Sequence, residues 1–104
     1  AHQLALRRYA ITDLIDDLTD AKDGLTSATI RADLLRGLGE LALLSAGAWL
    51  GSGKWLARRL RAVDPDACEA LTAFAGQPDD REAARRATEL LARLGGRVDQ
   101  DFVR

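Results

Sequence analysis

Methionine is absent from this chain, cysteine and histidine occur once each, and proline only twice. A single cysteine, Cys68, forms no disulfide within the chain and cannot build a cysteine-based zinc site. A reducing, cytoplasmic setting is the one that fits. The sole histidine, His2, stands beside the chain start. No Ser/His/Asp or Cys/His constellation is therefore available, and a helical ribonuclease built on a histidine base is disfavoured. Without methionine, the chain opens at Ala1-His2-Gln3 directly on a helical pattern. The expectation is the back part of a longer protein.

Charge of one sign is also missing. Fifteen basic residues face 16 acidic ones, for a net charge of −1. That balance gives no electrostatic case for DNA, RNA or an anionic membrane as partner. Basic residues gather only locally, at Arg58, Arg59 and Arg61 and again at Arg81, Arg85 and Arg86. No apolar run reaches the roughly 20 residues of a membrane span. The longest, Leu38 to Leu50, is interrupted by Gly39, Glu40 and Gly47. No signal-peptide pattern opens the chain. Strand signals are scarce too, because no stretch alternates apolar and polar with β-branched enrichment.

What remains is helix-forming. Alanine, leucine, arginine and glutamate dominate, and the 104 residues, 47% hydrophobic and 30% charged, suit one domain with one modest core. A first helix is expected from about Gln3 to Lys22, with Leu4, Ile11, Leu18 and Leu25 seven apart and Gly24 as its stop. A second runs from a Thr26 or Ser27 cap to Leu50, with Ile30, Leu34, Leu38, Leu41 and Trp49 on its apolar side. Small residues at Ala28, Ala32, Gly39, Ala42 and Ala46 form a strip along it. The third spans about Ser52 to Ala62 and buries Leu56, Leu60 and Val63. The fourth begins at Asp64-Pro65, where aspartate caps and proline lacks a donor that would go unpaired anyway, and ends near Gly76. Val63 and Cys68 stand at its staple positions. The last begins at Asp79, with Glu82 three residues on, and ends at Gly95-Gly96. Its core face is Ala83, Ala87, Leu90, Leu91 and Leu94, and Val98, Phe102 and Val103 can dock the tail. Short connections make this an all-α antiparallel bundle of about five helices, a single helical domain over 1–104.

Both tryptophans fall in one stretch, Trp49-Leu-Gly-Ser-Gly-Lys-Trp55. A phosphate loop is excluded there. Its first glycine would fall on Ala48, Trp55 replaces the hydroxyl that binds magnesium, and no strand precedes. A glycine corner between helices is the simple reading. The same residues would also serve a pocket, with Trp49 and Trp55 as aromatic walls and Lys54 as a point charge for an anionic group. The plainer alternative has both indoles filling the core and Lys54 solvated.

A second cluster is Arg8-Tyr9-Ala-Ile-Thr-Asp13-Leu-Ile-Asp16-Asp17-Leu-Thr-Asp20. Tyr9, Asp13, Asp16, Asp17 and Asp20 share one helical face. Such an array can bind a cation, hold a metal or act as a base. It can equally be a solvated face meeting arginines of the third or fifth helix. A third pattern, Gly51-Ser52 followed by Asp64-Pro65-Asp66, spells a nucleotidyltransferase signature only superficially. That chemistry needs both carboxylates on one side of a strand, whereas here proline splits the pair at a helix start.

Taken in order, "RYAITDLIDDLTDA", "ELALLSAGAWLGSGKWLARRL", "DPDACEAL" and "LLARLGGRVDQDF" resemble the C-terminal helical region of bacterial nucleotidyltransferase-domain proteins, relatives of the aminoglycoside nucleotidyltransferases. The resemblance covers nearly all of the chain. It is most specific at Arg8-Tyr9 with Asp13, Asp16 and Asp17, and at Gly53-Lys54-Trp55-Leu56 with Arg58. In that family an N-terminal α/β domain carries the catalytic motif, and the helical domain completes the site. The resemblance thus implies the C-terminal substrate-binding part of a longer two-domain protein, not competent alone. The parent would use magnesium and a nucleoside triphosphate to transfer a nucleoside monophosphate to a small-molecule hydroxyl, with the N-terminal domain as partner in cis. Lys54 and Arg58 would contact the nucleotide's phosphates, and Trp49 and Trp55 would wall the pocket. Tyr9, Asp13, Asp16 and Asp17 would receive the acceptor, with Arg8 and Arg58 orienting the carboxylates. The competing reading is a helical protein-interaction module without chemistry, docking through the small-residue strip.

Overall fold

The computed structural model describes residues 2–48 and 53–99, and among them it has five helices and no strand. They are α1 His2–Asp20, α2 Gly24–Ser45, α3 Lys54–Val63, α4 Pro65–Ala75 and α5 Asp80–Arg93. The expected all-α bundle is what forms. Trp49, Gly51, Ser52, Phe102 and Val103, which the sequence marks for the corner, the pocket and the tail, lie outside the described residues.

α1 has no glycine or proline to interrupt it. It buries Ala5, Ile11, Ile15 and Leu18 on one side, the spacing of a helical stripe. The stripe ends there. Gly24 does not stop α1, and Leu25, the fourth member of the seven-residue series, is 79% exposed at the start of α2. The reason is local capping. Asp23 lies in extended backbone and accepts hydrogen bonds from the Thr26 amide and the Thr26 hydroxyl, both at 2.8 Å. This cap outcompetes the Thr26 or Ser27 caps expected from sequence, and it makes Gly24 the first residue of the new helix.

α2 is shorter than expected, ending at Ser45 rather than Leu50. The Ala48 amide donates to Leu43 O at 2.9 Å and the Gly47 amide to Leu44 O at 3.0 Å, with Gly47 at φ +73°. That six-to-one and five-to-two pairing satisfies two terminal carbonyls and turns the chain away. At roughly 33 Å, by rise per residue, α2 is the longest element and the middle of the molecule. It packs against all four other helices. Its Leu34, Leu38, Leu41, Ala42 and Leu43 form the centre of the core. Ile11, Ile15 and Leu18 reach it from α1, Leu60 from α3, Leu71 and Phe74 from α4, and Leu90 and Leu91 from α5.

Of the small-residue strip, only Gly39 and Ala42 are buried; Ala28, Ala32 and Ala46 are exposed. Gly39 admits α3, because a Cβ there would stand 3.1 Å from Leu56 Cδ1. α3 buries Leu60 and half-buries Leu56 as expected, but Val63 stays 41% exposed at the final turn, where the chain reverses. Asp64 then caps α4 by accepting from the Ala67 amide at 3.1 Å, and Asp79 caps α5 by accepting from the Glu82 amide at 2.9 Å. Glu82 does not reach back to complete a capping box; its carboxylate pairs forward with Arg85 and Arg86. α5 closes on Gly95-Gly96, with the Gly96 amide donating to Leu91 O at 2.8 Å. Beyond it Val98 is buried, and its amide donates to the Thr12 hydroxyl at 3.1 Å.

Candidate functional site

Gly53 occupies the N-cap position of α3 at φ +55° and offers no side chain to the free amides. The corner is open to solvent: Gly53, Lys54, Trp55 and Arg58 are all exposed, and Trp55 keeps 53% of its surface accessible. The indole gathers the cations. Lys54 Nζ lies 5.8 Å and Arg58 Cζ 5.1 Å from the Trp55 ring centroid. Contacts of this kind contribute about 0.5–1 kcal/mol each at exposed sites, enough to bias two long side chains toward one spot. Trp55 is therefore not a core filler, contrary to the plainer expectation. Trp49, its expected companion, lies outside the described residues.

Two further cations extend the group. Arg59 and Arg61 are exposed on the same helix, and none of Lys54, Arg58, Arg59 and Arg61 has an ion-pair partner among the described residues. Lys54, Arg58 and Arg61 are spaced i, i+4, i+7 and so form a single stripe. That spacing was visible in the sequence and could have placed Arg61 in the site. Beside the corner, with Gly53 in its lining, a hollow of about 320 Å³ lies between α2, α3 and α4. Leu35, Leu56, Ala57, Leu60 and Leu71 make its walls almost entirely apolar, with Cys68 at its edge.

The carboxylate group stands elsewhere. Asp13, Asp16, Asp17 and Asp20 are exposed along α1, with Tyr9 half-buried one turn earlier. Asp16 accepts from Arg97 Nη2 at 2.9 Å; Asp13, Asp17 and Asp20 have no ion-pair partner among the described residues. The expected orienting role of Arg8 is not seen. Its Nε donates to Gly96 O at 3.2 Å, which holds it to the end of α5 rather than to the aspartates. Arg58 turns to Trp55 and does not serve the carboxylates either. α1 packs on α2 and α5, α3 on α2 and α4, and the two make no contact with each other. None of the described hollows is lined by both Lys54 and an aspartate of α1. Among the described residues no group of three His, Cys, Asp or Glu side chains could hold a metal ion, and no helix is long and apolar enough to cross a membrane.

The strongest electrostatic perturbations are structural and lie away from both groups. Asp80 is held below the usual carboxylate range by the Ser27 hydroxyl and then by Arg31. Asp23 is lowered by the Thr26 amide and hydroxyl, and Glu82 by Arg85. Comparison with protein-family models, with curated protein sequences and with solved structures gives no match.

Proposed function

We propose that this chain is the substrate-binding helical part of a nucleotidyltransferase-like protein, which transfers a nucleoside monophosphate to a hydroxyl of a small molecule. The observation that carries the reading is the open corner at the start of α3. Lys54 and Arg58 stand on a half-exposed indole, and no carboxylate among the described residues forms an ion pair with either. A flat aromatic face with two cations beside it suits a planar base and its phosphates. Magnesium would be held by carboxylates of the N-terminal catalytic domain, as the family resemblance implies. Asp13 and Asp17, which have no ion-pair partner among the described residues, would receive a cationic acceptor, with Asp16 held by Arg97, on a helix that makes no contact with α3. The two groups would then serve separate ligands.

Calorimetric titration of the parent protein with magnesium and ATP tests the phosphate role. Lys54→Ala is expected to weaken binding by about tenfold, with Lys54→Arg recovering most of it. Equal affinity for Lys54→Ala and the unaltered protein removes the assignment. The competing reading, a docking module acting through the small-residue strip of α2, loses its central element, because Gly39 already receives Leu56 from α3.

A further inference from the structure

Two exposed charged stripes of opposite sign run along α1 and α3. Asp13, Asp16, Asp17 and Asp20 crowd the C-terminal half of α1, whose last turn has no basic residue. Carboxylates there face the negative end of the helix dipole, and neighbours three and four apart repel. α3 carries the opposite sign. Lys54 sits in its first turn, at the positive end of the dipole and with no acidic residue beside it, followed by Arg58 and Arg59, while Arg61 lies in the last turn, where a cation is favoured. Apart from the Asp16–Arg97 pair, neither stripe is neutralised by an ion pair among the described residues.

The stripes also match. Asp13, Asp16/Asp17 and Asp20 follow i, i+3/i+4, i+7; Lys54, Arg58 and Arg61 follow i, i+4, i+7. Each covers about 10 Å of helix at 1.5 Å per residue. They cannot meet within one molecule, because α1 and α3 make no contact.

We infer that the basic face of α3 docks on the acidic face of α1 of a second copy of this chain. Each copy carries one stripe of each sign, so the contact is head-to-tail and leaves a free stripe at both ends. It is an association of exposed charges, hence weak and dependent on ionic strength. The half-exposed Trp55 lies beside the cationic stripe and is covered in the complex.

Sedimentation equilibrium of the 104-residue chain tests this. In low salt the average mass should rise with concentration above that of the monomer. Raising salt to about 0.5 M, where the screening length falls well below 10 Å, should return it to the monomer. Two charge-reversed variants sharpen the test: Arg58→Glu with Arg61→Glu, and Asp13→Lys with Asp17→Lys. All four positions are exposed, and unchanged circular dichroism establishes that each variant folds. Each variant alone should remain monomeric in low salt, while their equimolar mixture should associate, since each then offers the sign the other lacks. A monomeric parent chain in low salt overturns the proposal. So does association that survives either reversal, or a mixture that stays monomeric. Arg58 is also one of the proposed phosphate contacts, so the reversed variants are compared by sedimentation without nucleotide, and the nucleotide reading is tested separately by Lys54→Ala.

Discussion

At the scale of the residue, Gly95 shows how tightly the end of α5 is fitted. It has φ +127°, and a Cβ there would stand 2.8 Å from Arg8 Nη1 and 3.0 Å from Arg8 Cδ. Gly96 next to it has φ +91° but open space. Both positions disfavour a side chain through backbone strain, and only Gly95 adds a collision. Gly95→Ala and Gly96→Ala are each expected to destabilise by about 1–2 kcal/mol in urea unfolding, Gly95→Ala the more because the Arg8 side chain must also shift. Adding Arg8→Ala should recover part of the first loss and none of the second, because the Arg8 side chain stands in the way of a Cβ only at Gly95, whereas at Gly96 it meets the carbonyl oxygen. The stop at Gly95-Gly96 was legible from sequence; its partner Arg8 was not. The two lie far apart in the chain, and no periodicity links them. The grouping of Lys54, Trp55 and Arg58 was legible for the opposite reason: it lies within one turn of one helix.

At the scale of the element, boundaries were readable wherever a single side chain could decide them. Asp64 before Pro65 and Asp79 before Glu82 each cap a helix as expected. The α1–α2 boundary was misread because three adjacent signals, Asp23, Gly24 and Thr26, compete there, and only geometry shows that the aspartate takes the Thr26 amide. The strap between α2 and α5 had no sequence signal at all. Arg31 donates through Nε and Nη2 to Asp80 at 2.9 and 2.8 Å and through Nη1 to the Gln77 carbonyl, while Ser27 also donates to Asp80. With side-chain exposures of 18% and 31%, the pair is partly screened. Arg31→Ala is expected to cost about 1–2 kcal/mol, read as a fall in melting temperature. Asp80 is lowered in the folded state relative to the unfolded chain. Its contribution is therefore complete above the ordinary carboxylate range near 4 and is lost as pH falls through the lower folded value. Melting temperature should drop steeply below about pH 4, and part of that slope should vanish in Asp80→Asn.

At the scale of the whole molecule, α2 is the axis on which the other helices lie, and its run of leucines made that position predictable. The relative placement of α1 and α3 was not predictable. The family resemblance implies one site for Lys54 and the aspartates, yet the helices that carry them both pack on α2 and make no contact with each other. Pattern along a chain assigns faces to helices, but which faces meet is decided by packing. Most helix contacts join near neighbours in sequence. The longest reach is the seam that α1 makes with α5 and the segment after it, where Thr12 receives the Val98 amide and Arg8 binds the Gly96 carbonyl across 86 and 88 residues. Closing so long a loop costs entropy before any contact repays it. The seam should accordingly assemble after the transition state for folding. In stopped-flow measurements, Thr12→Val, which leaves the Val98 amide without its acceptor, should accelerate unfolding and leave the refolding rate nearly unchanged. An equal slowing of refolding would instead place this seam among the first parts to form.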